Sequence, residues 1–188
     1  MRRFFKDIIK KLLSLYDLKL INVSKQEKKD LPVEINKNIK EFINISNKFS
    51  MTGKKRMYLL SQAILNTKNH ELEGDFVECG VWRGGNILLF KLLNDFYNLD
   101  KTIYAYDTFD GMTIPEEIDK DHKGKFASKR MESQQKSEDI QNIHAFAKID
   151  TVKNNISKYT NLNKIRFVEG PVEETLMSEK NLPSKISV

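Results

Sequence analysis

Cysteine, proline and glycine are all scarce in this chain of 188 residues: one Cys, four Pro and eight Gly. A single thiol, Cys79, cannot build a disulfide scaffold, and the glycine and proline counts exclude collagen-like and low-complexity chains. No apolar run approaches the roughly 18 residues that a membrane span needs. Charge of one sign is also in short supply. Lys and Arg number 32 against 26 Asp and Glu, and the net charge of +6 is spread along the chain. That distribution tolerates an anionic partner but picks out no nucleic acid, and no nucleic-acid-binding motif is present. What the chain does carry is eleven Phe, six Tyr and one Trp, more ring surface than a chain that stays unfolded supports. The length suits one domain with a buried core.

The first twenty residues, MRRFFKDIIKKLLSLYDLKL, start basic and hold apolar positions. Lys6, Asp7, Lys10 and Lys11 interrupt any signal-peptide core and no small-residue cleavage site follows, so the expected compartment is the cytoplasm. Phe4, Phe5, Ile8, Ile9, Leu12 and Leu13 recur at spacings of three and four, which predicts an amphipathic helix over 2–20. Such a helix lies on a membrane surface or a partner, or packs on the domain or a second subunit, which leaves a homo-oligomer open. A polar stretch over 23–32 has the composition of a linker. Helical patterns follow through Ile35, Ile39, Phe42 and Ile43, then through Met57, Leu59, Leu60, Ala63 and Ile64. The expected organisation is an N-terminal helical extension, 1–50, ahead of an α/β domain, 51–188.

The texture changes after Gly74. DFVEC (75–79) reads as a strand, GVWRGG (80–85) as a glycine loop and NILLFKLLNDFYN (86–98) as a helix. TIYAYD (102–107) and KIRFVEG (164–170) are two further strands, VEETLMSE (172–179) a short helix, and KISV (185–188) the opening of a fourth strand. Ile143, Phe146, Ile149, Val152 and Ile156 predict a helix, whereas Thr108 to Glu138 is polar, poorly anchored and too long for an ordinary connection. Strands alternating with helices imply a parallel sheet covered on both faces.

Four of the eight glycines fall within 74–85. A glycine loop between a first strand and a helix is where an α/β sheet receives a nucleotide-like ligand, because a backbone without Cβ atoms allows close approach and the helix amides point outward. The spacing of Gly80, Gly84 and Gly85 departs from the G-x-G-x-x-G of dinucleotide enzymes. Glu78 sits just before the loop, where a carboxylate suits an ammonium group and repels a pyrophosphate. Asp107, at the tip of the second strand, is placed to accept ribose hydroxyls, and Gly170 stands at the third tip, next to the same crevice, where an adenine ring would lie against Val172. Cys79 reads as a small strand residue.

GDFVECGVWRGGN (74–86), YAYDTFDGM (104–112) and FVEGPVEETL (167–176) resemble the macrocin O-methyltransferase (TylF-like) family, as does MTGKKRMYLL (51–60) ahead of the first strand. The resemblance implies a Rossmann-like class I methyltransferase fold, incomplete at the C-terminus, and methyl transfer from S-adenosylmethionine to a hydroxyl of a sugar, glycan or other small-molecule acceptor. It implies that Glu78, Gly80, Val81, Trp82, Arg83, Gly84, Gly85 and Asn86 shape the methionine end of the cofactor pocket. Asp107, Thr108 and Phe109 would meet the ribose, and Gly170, Val172 and Glu173 the adenine; the 108–138 segment would form part of an acceptor lid. The family's metal-holding acids, usually binding magnesium, follow a fourth strand and have no counterpart before Val188. A divalent metal is thus expected only in a full-length relative, this chain reads as a truncated methyltransferase, and no catalytic residue is assigned. His70, His122 and His144 are the imidazoles at hand for proton transfer. Two alternatives stay open at this point: an NAD(P)-dependent oxidoreductase, and a non-catalytic binding or assembly module using the N-terminal helix.

Overall fold

Three short apolar and aromatic runs pair as parallel strands: β1 (Phe76–Cys79), β2 (Ile103–Asp107) and β3 (Ile165–Glu169), in the order β1-β2-β3. This is a computed structural model, and it describes Ile9 and residues 31–188. The chain divides into two compact units, Met1–Ile35 and Asn36–Val188, and the sheet lies in the second. The amphipathic stretch 2–20, Ile9 apart, and most of the polar stretch 23–32 lie outside the described residues.

Parallel neighbours need a crossover, and helices supply it. After α1 (Lys37–Ser46) and α2 (Lys54–Asn69), β1 leads into α3 (Gly85–Tyr97), and α5 (Ile149–Ser157) precedes β3. Ile87, Leu88, Leu89, Phe90 and Leu93 of α3 are all buried, a helix apolar on most of its circumference. It can be so only because it is enclosed, with the sheet on one side and α1 and α2 packed against it on the other. Phe76 of β1 stacks on Phe90, ring centroids 5.1 Å apart. α1 packs on α3 and falls in the second unit, Asn36–Val188.

Side chains alternate across the sheet, so the opposite face presents Tyr104, Tyr106 and Val168 with Val77 packed against them. The chain after β3 covers this face: α6 (Val172–Thr175) packs on β2, and the Tyr106 hydroxyl donates to the carbonyl of Asn181 in a 3-10 turn, Glu179–Asn181. The sheet is thus covered on both faces, as the alternation of elements implied. The end of the chain then returns to the far side of β1. Asp75 N–H donates to Lys185 O at 2.9 Å, Ser187 N–H to Asp75 O at 2.9 Å and Val77 N–H to Val188 O at 2.8 Å, a parallel pairing. A Cβ on Gly74 would lie 2.8 Å from the Lys185 carbonyl carbon, so glycine is what admits this approach. The spatial order is 185–188, β1, β2, β3, and the sheet's direction of growth reverses at β1. In open α/β sheets that reversal opens a crevice at the strands' carboxyl ends.

Three local expectations change. The helix expected from Ile143 starts at Ile149, because Ala145 has φ 47° and Met112 N–H binds the His144 carbonyl at 2.8 Å, which keeps the chain before Ile149 out of helical register. The 108–138 segment is better built than its composition suggests. It holds a Lys120–Phe126 antiparallel bridge and α4 (Ala127–Glu132). The helix expected over 172–179 stops at Thr175 and resumes only as the 3-10 turn.

Candidate cofactor and acceptor site

Hydrogen bonds draw the carboxyl ends of the three strands together. Gly80 N–H donates to Tyr106 O at 2.8 Å, and Gly170 N–H to Asp107 O at 3.0 Å. The Asp107 side chain does more. Its Oδ2 accepts from the N–H groups of Val81 and Trp82, at 2.6 and 2.9 Å, and its Oδ1 from Phe109 N–H at 2.9 Å. Trp82 and Phe109 both hold positive φ, 49° and 50°, a region that costs a non-glycine residue of order 1 kcal/mol or more. Consecutive amides in such a turn form a concavity for an anion, and Asp107 is the anion supplied from within. Sequence placed Asp107 against a ribose; the structure shows its carboxylate organising the glycine loop. Thr108 caps the next turn, its hydroxyl donating to Gly111 O at 2.8 Å.

The loop glycines divide by what a side chain would strike. At Gly84 a Cβ would sit 2.8 Å from Val152 Cγ1 of α5, and at Gly85 it would sit 2.5 Å from Ser50 Cβ. Both are packing glycines. At Gly80, φ +90°, nothing lies within 4 Å of the Cβ position, so the main chain there faces open space.

Glu78 precedes this opening. Burial pushes its carboxyl above the usual carboxylate range, and the Asn86 amide, donating from Nδ2 at 2.9 Å, pulls weakly the other way. No ion pair between described residues includes Glu78. Asn86 Oδ1 and Trp82 Nε1 are buried with no hydrogen-bond partner, an acceptor and a donor left over in this wall. The Arg83 Nε is likewise unpartnered, while its carbonyl accepts from Asn155 Nδ2 at 3.2 Å. Phe109 is buried against Phe167, centroids 6.1 Å apart. At the third tip, Gly170 and Val172 are half-buried and Glu173 is exposed.

Beyond Thr108 the lid segment encloses two adjoining hollows. The inner, about 590 Å³, is lined by Thr108, Asp110, Gly111, Met112 and His144 among others. The outer, about 1270 Å³, shares Met112, Thr113, Pro115 and Met131 with it and extends over Ile118 and Phe126. His144 Nε2 lies 2.9 Å from Gln134 O, and His70 Nδ1 caps α2 from 3.0 Å. Among the described residues no group of three or more His, Cys, Asp or Glu gathers to hold a metal, and no helix is long and apolar enough to cross a membrane. Sequence reasoning missed the unpartnered atoms of Trp82 and Asn86, which only packing exposes. It also missed the lid's hollows, whose one signal was the turn chemistry of Asp121–Gly124.

A parallel sheet that reverses at β1, with a glycine loop opening α3 and an acid at the second tip, is a Rossmann-like domain of the class I methyltransferase type. One solved structure, described as the O-methyltransferase NovP, shares the fold with a TM-score of 0.57 at 24% identity, covering 70% of this chain and 51% of that one. In sequence, the chain is 30% identical over 129 residues to the mycinamicin III 3''-O-methyltransferase of Micromonospora griseorubida, covering 68% of this chain and 48% of that protein. It is 29% identical over 135 residues to the demethyldecarbamoylnovobiocin O-methyltransferase of Streptomyces niveus, covering 70% and 47%. The profile of the macrocin O-methyltransferase (TylF) family matches residues 13–186, and the chain belongs to that family. It spans about half the length of the curated relatives it matches. Family membership sets aside the oxidoreductase alternative.

Proposed function

We propose that this chain forms the cofactor-binding part of an S-adenosylmethionine-dependent O-methyltransferase acting on a hydroxyl of a sugar or similar small molecule. The observation that carries the reading is a half-buried, cation-free carboxylate, Glu78, beside the open main chain of Gly80 and the unpartnered Asn86 Oδ1. A partly desolvated carboxylate without a counter-charge is costly, and an ammonium group relieves that cost. An α-amino acid end fits these residues: Glu78 and Asn86 Oδ1 accept from its ammonium, and Trp82 Nε1 remains as a donor. When bound, the sulfonium supplies an electrophilic methyl group. The chain's own part is to hold and orient. Asp107 is a positioning residue that sets the loop amides, and Gly80 leaves room above the strand tip. The inner hollow beyond Thr108 is where an acceptor reaches the tips. The relatives named above, called after mycinamicin III and demethyldecarbamoylnovobiocin, support a small-molecule acceptor.

Titrating S-adenosylhomocysteine into the intact chain by calorimetry tests the reading. Binding to wild type and roughly tenfold weaker binding to Glu78→Gln is the expected result. Equal affinity in the two would remove Glu78 from the site.

A further inference from the structure

The outer hollow carries a charge pattern that the cofactor does not use. Lys120, Lys125, Lys129 and Arg130 all line it, against two carboxylates, Asp119 and Asp121. Both acids are committed to the main chain. Asp119 Oδ2 accepts from Glu116 N–H at 2.9 Å, and Asp121 Oδ1 accepts from Lys123 and Lys125 N–H at 2.8 and 3.0 Å, closing the turn that ends at Gly124. None of the four cations forms an ion pair with a described residue. Lys120 and Lys129 instead lie over the Phe126 ring, at 4.6 and 6.0 Å from its centroid. The hairpin Lys120–Phe126 and α4 therefore hold four cations at an apolar wall; the Asp121 carboxyl, held low chiefly by its main-chain bonds, also feels the charges of Lys125 and Arg130, whereas Lys120 and Lys129 face only the ring.

We propose that this hollow binds the phosphate of a glycosyl acceptor, so that the hydroxyl to be methylated belongs to a sugar carrying a phosphate ester. Four cations less two carboxylates leave a charge of +2 on the lining. A phosphate monoester or a diphosphate brings about −2 at neutral pH, which matches it. A neutral sugar would cover the four cations without compensating them. The inner hollow continues from this one to Thr108, at the tip of β2, so a phosphate held outside leaves the sugar directed toward the strand tips. The inference rests on the methyltransferase reading for its chemistry, but not for its binding. A sugar phosphate and a nucleoside diphosphate sugar share the phosphate that the cations recognise.

Calorimetry on the full chain separates these cases, with glucose 1-phosphate, UDP-glucose and glucose as probes. Each is titrated into wild type and into the double variant Lys129→Glu/Arg130→Glu, whose side chains are exposed. S-adenosylhomocysteine is titrated into both as the control. Both phosphate probes should bind wild type, glucose should not, and the double variant should lose about tenfold or more with the control unchanged. Much tighter binding of UDP-glucose would assign recognition to the nucleotide end, and equal binding to the phosphate alone; either supports the proposal. Failure of both phosphate probes while the control binds would overturn it. So would an unchanged affinity in the double variant. A control that fails in wild type sinks the cofactor reading instead, and the phosphate arms still decide this one.

Discussion

The strand tips and the lid solve opposite problems with the same kinds of residue. At the tips, acids meet backbone amides in a partly buried setting: Asp107 takes three main-chain donors, and the open space is defined by a missing Cβ at Gly80. In the lid, Asp121 and Asp119 also cap main chain, but the cations beside them are exposed and aimed at solvent and a single ring. The first arrangement is fixed by backbone geometry and tolerates few substitutions. The second is a set of long side chains on a short hairpin and helix, able to change without disturbing the sheet. A fold can therefore keep one cofactor pocket while its acceptor face varies.

That contrast can be tested from its foundation upward. Phe90→Ala removes the ring stacked on Phe76 beneath the tips, and should destabilise the domain by about 3–5 kcal/mol in chemical denaturation, affecting tips and lid together. Asp107→Ala leaves the Val81 and Trp82 amides without their acceptor. It should weaken S-adenosylhomocysteine by about 100-fold while costing roughly 1–3 kcal/mol of stability. If affinity fell no more than stability accounts for, Asp107 would be merely structural; loss of loop-amide protection in hydrogen exchange marks the positioning role.

The glycines sharpen the comparison within the loop itself. Gly84→Ala drives a Cβ to 2.8 Å from Val152 Cγ1 and should cost about 1–3 kcal/mol, read as a lower Tm. Gly80→Ala meets no atom and should cost less stability, yet it narrows the opening. Smaller still is Glu78→Gln. Because the folded carboxyl titrates above its ordinary value, the folded state holds a proton that the unfolded chain has released. Stability from this group is present at acid pH and is lost as pH rises through the ordinary and then the raised value. Gln should thus raise Tm at pH 8 relative to wild type, with the difference shrinking toward acid pH. Ligand affinity runs the other way in wild type, weakening as pH falls and Glu78 protonates, and should be flat in the variant.

How much of this was legible in the sequence follows from the same division. β1, β2 and β3 were readable because short apolar runs bounded by glycine and acid have few other uses, and the convergence of Gly80, Asp107 and Gly170 at the strand tips was readable from their places at the ends of those runs. Gly84 and Gly85 carried the same letter for a different purpose, packing against Val152 and Ser50, which no spacing distinguishes. The helix expected at Ile143 began at Ile149 because a long-range bond from Met112 to His144 overrode periodicity. The lid read as featureless because its order comes from side-chain-to-backbone turns at Asp119 and Asp121, which leave no hydrophobic trace.

The central claim is that the first strand tip cradles an amino-acid-bearing adenosyl cofactor over Gly80. A calorimetric titration of S-adenosylhomocysteine into wild type and Gly80→Ala, with Tm recorded for both, tests it most directly. One saturable site in wild type and a loss of about tenfold or more in a variant that keeps its fold is the predicted outcome. No binding to wild type, or equal affinity in the two, would contradict the account.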